Sequence, residues 1–276
     1  MGRFVAGPRL EDAIATCRRL AADGILSTLD HLGENITTLE QADASLAAAL
    51  AALGQLNRGG LAQTSISIKL TQFGLDLSEI ECLRRVSTLV EAAKQSDRRI
   101  EIDMESTAYT DRTLHLVREL HRRFGNVRAV IQAYLFRSET DIEDLCRNAI
   151  SVRLCKGAYL EPSEVAFPDK AEVDGNYRRL MARLLDVGTM PALATHDEAI
   201  IHEAMGLVKS RDIDPGRFEF QMLYGIRRDL ERDLIRRGYR LRLYVPYGEA
   251  WYPYFMRRLA ERPANVWFVL KSLFRG

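Results

Sequence analysis

The sequence lacks the features that mark disulfide-rich, zinc-binding or membrane-spanning proteins. Its four cysteines, Cys17, Cys82, Cys146 and Cys155, are scattered and form no C-x-x-C pair. This spacing indicates neither a zinc site nor a disulfide framework, and it favours a reducing cytosol. No run of about 18 apolar residues and no signal-peptide pattern is present, so we expect a cytoplasmic protein.

An excess of charge of one sign is also missing. The chain carries 39 basic and 38 acidic residues, for a formal net charge of +1. This balance gives no electrostatic basis for nucleic acid as the main partner. No proline- or serine-rich linker, repeat or low-complexity tract divides the 276 residues. A length of this size allows one large or two small domains, and the absence of a linker favours one.

Eight short runs of β-forming residues alternate with helical patterns, after a first helical segment at Leu10 to Ala22. The eight runs are residues 24–30, 65–70, 99–104, 127–135, 151–156, 191–195, 218–223 and 240–245. This order predicts an α/β protein with a (β/α)8 TIM-like barrel, and the count of eight favours it over the alternative, an open doubly wound sheet. We predict one catalytic domain over 1–276, with an N-terminal helical segment at 1–23 and the barrel at 24–276.

Start and stop signals mark several of the helices between these runs. Thr37-x-x-Glu40 and Ser78-x-x-Glu81 have the spacing of capping boxes, and Ser138 opens a third helix in the same manner. Glycines stand where helices are expected to end before the next strand. They are Gly125, Gly188 and Gly238.

Polar residues close nearly every predicted strand. In a (β/α)8 barrel, active-site groups lie at the C-terminal ends of the strands, so these residues are site candidates. They are Lys69, Asp103 with Met104, Gln132, Arg153 with Lys156, Thr195 with His196, Gln221 and Tyr244. Each also has an ordinary alternative: a surface lysine for Lys69, a helix cap for Asp103, a helix-start histidine for His196.

Several well-known motifs are absent. The sequence contains no G-x-S-x-G, no G-x-G-x-x-G and no G-x-x-x-x-G-K-[ST], so a dinucleotide, if bound, is not held by a Rossmann turn. No histidine or carboxylate spacing predicts a metal site. Gly157, after the fifth strand, is a position where the backbone could approach a phosphate closely.

A predicted helix, EAWYPYFMRRLAER, follows the eighth strand and the predicted turn VPYGE. Its position after the last strand predicts that it begins over the C-terminal mouth of the barrel. Arg257 and Arg258 are adjacent, and Tyr254 lies on the same helical face as both. Two guanidinium groups reaching one object indicate a carboxylate or phosphate. The alternative is a solvated basic stripe that continues to Arg262.

Together these segments resemble the flavin-dependent proline dehydrogenase family, which includes single-function bacterial enzymes and the dehydrogenase domain of proline utilization A. The resemblance runs from about Leu26 to Val269. The segments that carry it are IKLTQFGLDL, IDMES, IQAYL, RLCKGAYLEP, ATHDE, FQMLYG and YVPYGEAWYPYFMRRLAERPANVWFV. Two departures are Cys155, where a small aliphatic residue is expected, and N-terminal helices that are short or missing.

The resemblance implies a distorted barrel with FAD at its mouth. It implies oxidation of L-proline to Δ1-pyrroline-5-carboxylate, with hydride transfer from C5 to the flavin and electrons passed to a quinone. It leaves open a peripheral contact with the inner face of the cell membrane, and it implies no nucleic acid partner.

The resemblance also implies roles for individual residues. Asp103 and Arg153 match the active-site carboxylate and the arginine near the reactive flavin nitrogen. Residues expected to bind substrate are Lys69, Tyr159, Leu223, Tyr244, Tyr254, Arg257 and Arg258. Residues expected to bind the flavin are Met104, Gln132, Lys156, Gly157, Ala158, Thr195 and His196.

Strand alternation predicts a polar barrel interior. With Lys69, Asp103, Arg153 and Tyr244 pointing inward, period two places further polar residues on the same inner faces. They are Ser65, Ser67, Glu101, Ser151, Glu219, Gln221, Arg240 and Arg242. Because buried charges persist only when paired, we predict that Arg242 bonds Glu219, Glu101 or both.

Three other functions remain as alternatives. One is a flavin barrel like methylenetetrahydrofolate reductase, which would take a pterin and would not need Arg257 and Arg258 beside Tyr254. Another is a lyase that forms a Schiff base on Lys69 or Lys156. The third is a non-catalytic barrel that binds an anionic partner. A yellow protein that L-proline bleaches would separate proline oxidation from most of these alternatives.

Overall fold

The structure is a computed structural model that describes residues 4–33 and 36–250. Within this part, strands and helices alternate after a first helix. The strands are β1 Leu26–His31, β2 Ser65–Ile68, β3 Ile100–Ile102, β4 Val127–Gln132, β5 Ser151–Cys155, β6 Ala192–Ala194, β7 Glu219–Leu223 and β8 Leu241–Tyr247. The α-helices are α1 Leu10–Ala22, α2 Leu39–Arg58, α3 Glu79–Lys94, α4 Thr107–Phe124, α5 Ser138–Arg147, α6 Lys170–Val187, α7 Glu198–Ser210 and α8 Arg228–Arg236. Two short 3-10 helices are Leu70–Phe73 and Pro215–Arg217.

The eight strands form a closed barrel in sequence order, and each pairs with its neighbours in parallel. β8 closes the barrel against β1, from Leu26 opposite Arg242 to His31 opposite Tyr247. The predicted (β/α)8 fold is therefore confirmed, and the open doubly wound sheet is excluded. The predicted first helix has the bounds of α1.

Two of the three predicted helix starts differ from the structure. The capping box of α2 lies one residue further along than predicted, with Thr38 and Gln41 in place of Thr37 and Glu40. Ser138 is the first residue of α5 and does not cap it, since its hydroxyl donates to the carbonyl of Gln132. Ser78 does cap α3, where its hydroxyl accepts from the backbone N–H of Glu81 at 3.3 Å.

The eighth strand runs two residues further than the sequence predicts. The segment VPYGE was predicted as a turn, but Val245, Pro246 and Tyr247 belong to β8. Proline lacks an N–H donor and normally terminates pairing in a central strand. Here the carbonyl of Pro246 instead accepts from the backbone N–H of Ala6 at 2.9 Å. The segment before α1 therefore packs on the end of the last strand.

The two faces of the strands divide as alternation predicts. The outward residues are aliphatic and almost completely buried beneath the helices. They are Ile66, Ile68, Ile100, Ile102, Val152, Leu154, Leu241 and Leu243. Burial of such side chains contributes roughly 1.5–3 kcal/mol each, so the apolar core of the protein lies between barrel and helices.

Inside the barrel the side chains are charged and paired. Arg242 donates from Nε to Oε1 of Glu219 at 2.8 Å and from Nη2 to Oε2 at 3.2 Å, and its Nε lies 4.0 Å from Glu101. The predicted contact is thereby confirmed. Arg128, which the sequence prediction missed, is fully buried and donates to Glu219 at 2.5 Å and to Ser151 at 2.9 Å.

The inner arginines set the protonation of the two inner glutamates. Burial by itself raises the pKa of Glu101, but the guanidinium groups of Arg153, Arg128 and Arg242 outweigh it and hold that pKa well below its usual range. Glu219 behaves in the same way, with its pKa lowered by Arg128 and Arg242 against the effect of burial. Both carboxylates are therefore ionised inside the barrel at neutral pH. Arg240, also predicted to face inward, precedes β8 and is half-buried.

The predicted helix after β8 lies outside the described residues. Tyr254, Arg257 and Arg258 are part of it, so their roles stay predictions from the sequence. Among residues 4–33 and 36–250, no helix has both the length and the apolar composition needed to cross a bilayer.

Candidate active site

Asp103 is the centre of a hydrogen-bond network at the C-terminal end of the barrel, called the mouth below. It directly follows β3, and its Oδ1 accepts from Ser67 Oγ and from Arg153 Nη1, both at 2.7 Å. Its Oδ2 accepts from the hydroxyl of Tyr244 at 2.7 Å. Three donors from three different strands fix this carboxylate in one orientation, which a helix-capping aspartate would not require.

Arg153 joins the mouth to the charged interior. Its Nη1 bonds Asp103 and its Nη2 bonds Glu101, so one guanidinium bridges two carboxylates. Its Cζ also lies 5.2 Å from the ring centroid of Tyr244, within cation–π distance. Burial lowers the pKa of Arg153, but the carboxylates of Glu101 and Asp103 outweigh this effect and raise that pKa above its ordinary value. The guanidinium therefore stays charged. Its buried Nε has no hydrogen-bond partner among the described residues.

Lys69 lies between two carboxylates. Its Nζ is 3.6 Å from Oδ1 of Asp30 and 3.7 Å from Oδ2 of Asp103. The side chain is 13% exposed and that of Asp103 is 12% exposed, so both still reach the surface of the mouth. Asp30, near the end of β1, was missed by the sequence prediction although it is the last residue of the first predicted strand.

A second group of predicted residues surrounds the end of β4. Gln132 donates from Nε2 to the carbonyl of Glu105 at 3.0 Å and accepts at Oε1 from the backbone N–H of Ala158 at 3.1 Å. These bonds connect β3, β4 and the segment after β5. Met104, between Asp103 and Glu105, is 6% exposed.

Gly157 is required by its local packing. It has φ +130°, and an added Cβ would lie 2.3 Å from Cδ1 of Tyr134. The sequence argument attributed this glycine to close approach of a phosphate, but in the structure the ring of Tyr134 already leaves no space for a side chain. A role in approaching a ligand stays a prediction.

Lys156 lies in a cluster of opposite charges. Its Nζ donates to Oδ2 of Asp197 at 2.8 Å and is 2.5 Å from Oδ1 of Asp174. Lys170 bonds Asp174 as well. Burial raises the pKa of Asp174, but the two lysines outweigh it and lower that pKa below its ordinary value. Asp197 also caps α7, which ties Lys156 to the start of that helix.

Thr195 and His196 directly follow β6. His196 is hydrogen-bonded to β7, and Thr195 is hydrogen-bonded to the start of α7. The backbone N–H of Leu223 donates to Nε2 of His196 at 2.9 Å, so this nitrogen carries no proton. The hydroxyl of Thr195 accepts from the N–H of Asp197 at 3.1 Å. Leu223 in turn lies opposite Tyr244 in the β7–β8 pairing, which connects this group to the Asp103 network.

The structure thus gathers the described candidates at one end of the barrel. Tyr159, in the segment after β5, is half-buried at the same end. Besides Asp30, the sequence analysis missed Ser67 as a partner of Asp103, and Glu105, whose carboxylate accepts from the N–H of Thr71 at 3.1 Å and its hydroxyl at 2.6 Å. Alternation from Lys69 predicted Ser67 on the inner face of the barrel, and the structure adds its bond to Asp103.

Comparison with known proteins supplies the family. The family described as "Proline dehydrogenase" matches residues 13–271. The chain belongs to the proline dehydrogenase family. It is 42% identical to proline dehydrogenase 1 of Bacillus subtilis over 273 residues, covering 99% of this chain and 90% of that protein. It is 41% identical to the proline dehydrogenase of Deinococcus radiodurans, with the same two coverages.

A solved structure agrees with both fold and family. Proline utilization A from Bdellovibrio bacteriovorus, inactivated by N-propargylglycine, superposes with a TM-score of 0.87 at 25% identity. The match covers 93% of this chain and 32% of that longer chain. The resemblance seen in the sequence is confirmed, and the protein is an oxidoreductase of proline catabolism. This result removes the pterin-dependent, Schiff-base and non-catalytic alternatives.

Proposed function

We propose that this protein oxidises L-proline to Δ1-pyrroline-5-carboxylate with FAD as its cofactor, as the first step of proline catabolism. The observation that carries the proposal is the Asp103 network, which presents a carboxylate, an ammonium, a guanidinium and a tyrosine ring at the barrel mouth. Full-length similarity to enzymes named for this reaction supports it.

The described residues fit a flavin. The Nε–H of Arg153 is a buried donor without a described partner, and an acceptor nitrogen or oxygen of a flavin would satisfy it. Lys156 carries a positive charge suited to a phosphate. A bound phosphate would share this ammonium group with Asp174 and Asp197. The residues that would hold the cofactor are Met104, Gln132, Arg153, Lys156, Gly157, Ala158, Thr195 and His196.

The flavin would supply the redox chemistry by accepting a hydride from substrate C5. The protein's task is then to hold proline with C5 facing the cofactor, and positioning of this kind supplies a large part of a rate enhancement. Lys69, together with Arg257 and Arg258, would bind the substrate carboxylate. Tyr159, Leu223, Tyr244 and Tyr254 would enclose the ring.

Proline must lose an amine proton before C5 can release a hydride. The carboxylate of Asp103 already accepts three hydrogen bonds, so it is poorly placed to take this proton. We therefore assign the proton to water and assign Asp103 to orientation and charge. The carboxylate of Asp103 also favours positive charge that develops on the substrate nitrogen as the hydride leaves.

Electrons would pass from the flavin to a quinone at a membrane surface. Most of the exposed large hydrophobic side chains lie at the mouth end of the barrel, in or beside loops that follow strands. They are Leu77, Ile80, Phe136, Leu160 and Val165. Apolar residues around a mouth suit peripheral contact with the lipid surface in which quinones dissolve.

The direct test uses purified protein. We expect a flavin absorbance spectrum that L-proline bleaches without oxygen and that a soluble quinone restores. FAD should be released on denaturation, as identified by chromatography. A colourless protein, or a yellow one that L-proline leaves unchanged while a folate substrate bleaches it, would contradict the proposal.

The arginine pair predicted from sequence can be tested separately. Arg257→Ala or Arg258→Ala should raise KM for proline at least about 30-fold, because a charge-assisted bond contributes about 2 kcal/mol. Flavin content should stay unchanged. Arg258→Lys should restore activity only in part, since lysine lacks the planar fork. Near-wild-type KM in both alanine variants would remove the carboxylate assignment.

A further inference from the structure

Asp30 is a buried carboxylate with an unusual shortage of partners. Its side chain is 0% exposed, and neither oxygen has a hydrogen-bond partner among the described residues. Buried carboxylates are normally hydrogen-bonded, because removal from water without compensation is costly. The cation in range is Lys69, whose Nζ lies 3.6 Å from Oδ1. The charge of Asp30 is therefore compensated mainly through one ammonium group.

That ammonium lies almost midway between two carboxylates. It is 3.6 Å from Asp30 and 3.7 Å from Asp103, so the two attractions oppose each other. The two carboxylates differ in everything else. Asp103 accepts from Ser67, Arg153 and Tyr244 and is partly exposed at the mouth, whereas Asp30 accepts from none of the described donors and is shielded from solvent.

We infer that Asp30 is a positioning residue that holds the Lys69 ammonium at the place where the substrate carboxylate binds. This inference rests on the proposed function. Without Asp30, one of the two close carboxylates is lost, and the balance shifts Lys69 toward Oδ2 of Asp103. The ammonium would then compete with the hydroxyl of Tyr244, which donates to that same oxygen at 2.7 Å.

The expected effect is on binding more than on the chemical step. Asp30 is fully buried, contacts Lys69 and makes no described contact with Asp103 or Arg153. Asp30→Asn keeps the shape of the side chain and removes its charge. We expect it to raise KM for L-proline about tenfold, the loss typical of one misplaced charge-assisted bond, with kcat kept within about threefold.

A double-mutant cycle separates this role from a merely structural one. The four proteins are wild type, Asp30→Asn, Lys69→Met and the double variant, all loaded with flavin. The readouts are KM, kcat and the Kd of cyclopentanecarboxylate, which has the ring and carboxylate of proline without the amine. If Asp30 acts through Lys69, Asp30→Asn should change KM and Kd by less than about twofold in the Lys69→Met background.

Asp186→Asn is the matched control. Asp186 is an exposed carboxylate that pairs with Arg211 at 2.5 Å on the outside of the barrel. Its substitution should leave KM, kcat and Kd unchanged. If Asp30→Asn does not fold, the same cycle is run with Asp30→Glu, which keeps the charge and displaces it by one methylene. The KM change should again disappear in the Lys69→Met background.

Two results would overturn the inference alone: an active wild type with unchanged KM and Kd in the Asp30 variant, or a tenfold effect that persists without Lys69. A wild-type protein whose flavin is not reduced by L-proline would overturn the proposed function and this inference with it.

Discussion

Gly157 and Tyr134 form a contact that leaves no room for a side chain. The backbone at Gly157 has φ +130°, a conformation that residues with a Cβ rarely adopt. The missing Cβ would overlap the ring of Tyr134, which is itself buried at 4% exposure and packs with Leu135, Ala166 and Val173. The ring has nowhere to move without opening that cluster. Strain and overlap therefore act at the same position.

Gly157→Ala should lower the free energy of unfolding by about 2–4 kcal/mol, from backbone strain and overpacking together. Equilibrium urea denaturation measures this. Gly175→Ala is the control, because Gly175 lies inside α6 with open space around its Cα. There alanine should be neutral or slightly stabilising. The double variant Tyr134→Ala with Gly157→Ala should lose less stability than the sum of the two single losses. Strict additivity of the two changes would contradict the steric account.

Some residues of the site and the barrel interior were predictable from the sequence, and others were not. Lys69, Asp103 and Tyr244 were found because they close strands, and the structure joins them through Asp103. Asp30 meets the same criterion, but a first strand with one terminal carboxylate gives no sign that its oxygens are buried against Lys69. Arg128 lies four residues before Gln132, where alternation places it inside. Alternation was therefore a signal for its burial, but the sequence analysis did not extend the inward set to this strand.

Among the elements, α8 buries a carboxyl group whose desolvation its neighbouring arginines only partly offset. Leu230 and Leu234 face the barrel, and Glu231 is buried with them at 7% exposure. Its Oε1 has no hydrogen-bond partner among the described residues. Burial raises the pKa of Glu231 to about 7, against the lowering effect of Arg228 and Arg232. This glutamate therefore opposes the stability of the helix that carries it.

Glu231→Gln should stabilise the protein at pH 8 by about 1–3 kcal/mol, given 1.36 kcal/mol per pKa unit. A folded-state pKa above the unfolded value of about 4.3 means that the cost is absent below that pH and complete above about 7. The gain should therefore shrink as the pH falls from 8 to 4.5. Thermal unfolding of both proteins across this range measures it, and a gain of equal size at pH 4.5 would point to a cause other than ionisation.

The bounds of the elements were predictable for physical reasons that also explain the errors. α1 has alternating apolar residues and clear ends, so its predicted and observed bounds coincide. At the start of α2, two threonines in a row are each followed three residues later by a glutamate or glutamine. Either pair satisfies the capping-box pattern, so the pattern alone does not select between them, and the structure forms the box with Thr38 and Gln41. Pro246 suggested a turn, although the last strand continues past it.

At the scale of the whole molecule, the barrel is held together from inside by paired charges in place of the branched aliphatic layers usual in this fold. Alternation alone predicted this interior, since Glu101, Glu219 and Arg242 share the phase of Asp103 and Tyr244. The sequence could narrow the partners of Arg242 to Glu219 and Glu101 but could not choose between them. Arg153 and Arg128 also reach the two glutamates, and shear between the strands decides which distances are short.

Arg242→Met should destabilise the protein by about 3 kcal/mol, the lower end for breaking a buried pair, because Glu219 keeps its bond to Arg128. The control is Arg237→Met, whose solvent-exposed pair with Asp233 at 2.7 Å should contribute little to stability because solvent screens it. Urea denaturation at pH 7 compares them. The double variant Glu219→Gln with Arg242→Met should be more stable than Arg242→Met, and the reverse order would contradict the charge-pairing account.

The contribution of the Glu219 ion pairs to stability depends on pH. The pKa of Glu219 is lowered in the folded protein, with Arg128 and Arg242 outweighing burial. Its contribution to stability is therefore complete above the unfolded pKa of about 4.3 and is lost as the pH falls below that value. Arg242→Met should lose less stability than wild type between pH 5 and pH 3.

The closure of β8 on β1 makes the order of synthesis matter. Arg242 lies on the last described strand and contacts Glu219 on β7, the carbonyl of Ser27 on β1 and the hydroxyl of Ser65 on β2. A nascent chain that has emerged only through β7 has two open sheet edges and lacks one of the cations that neutralise its inner glutamates. The ribosome must therefore present nearly the whole described chain before the barrel can close. Until then β1, although made first, keeps one edge without its β8 partner.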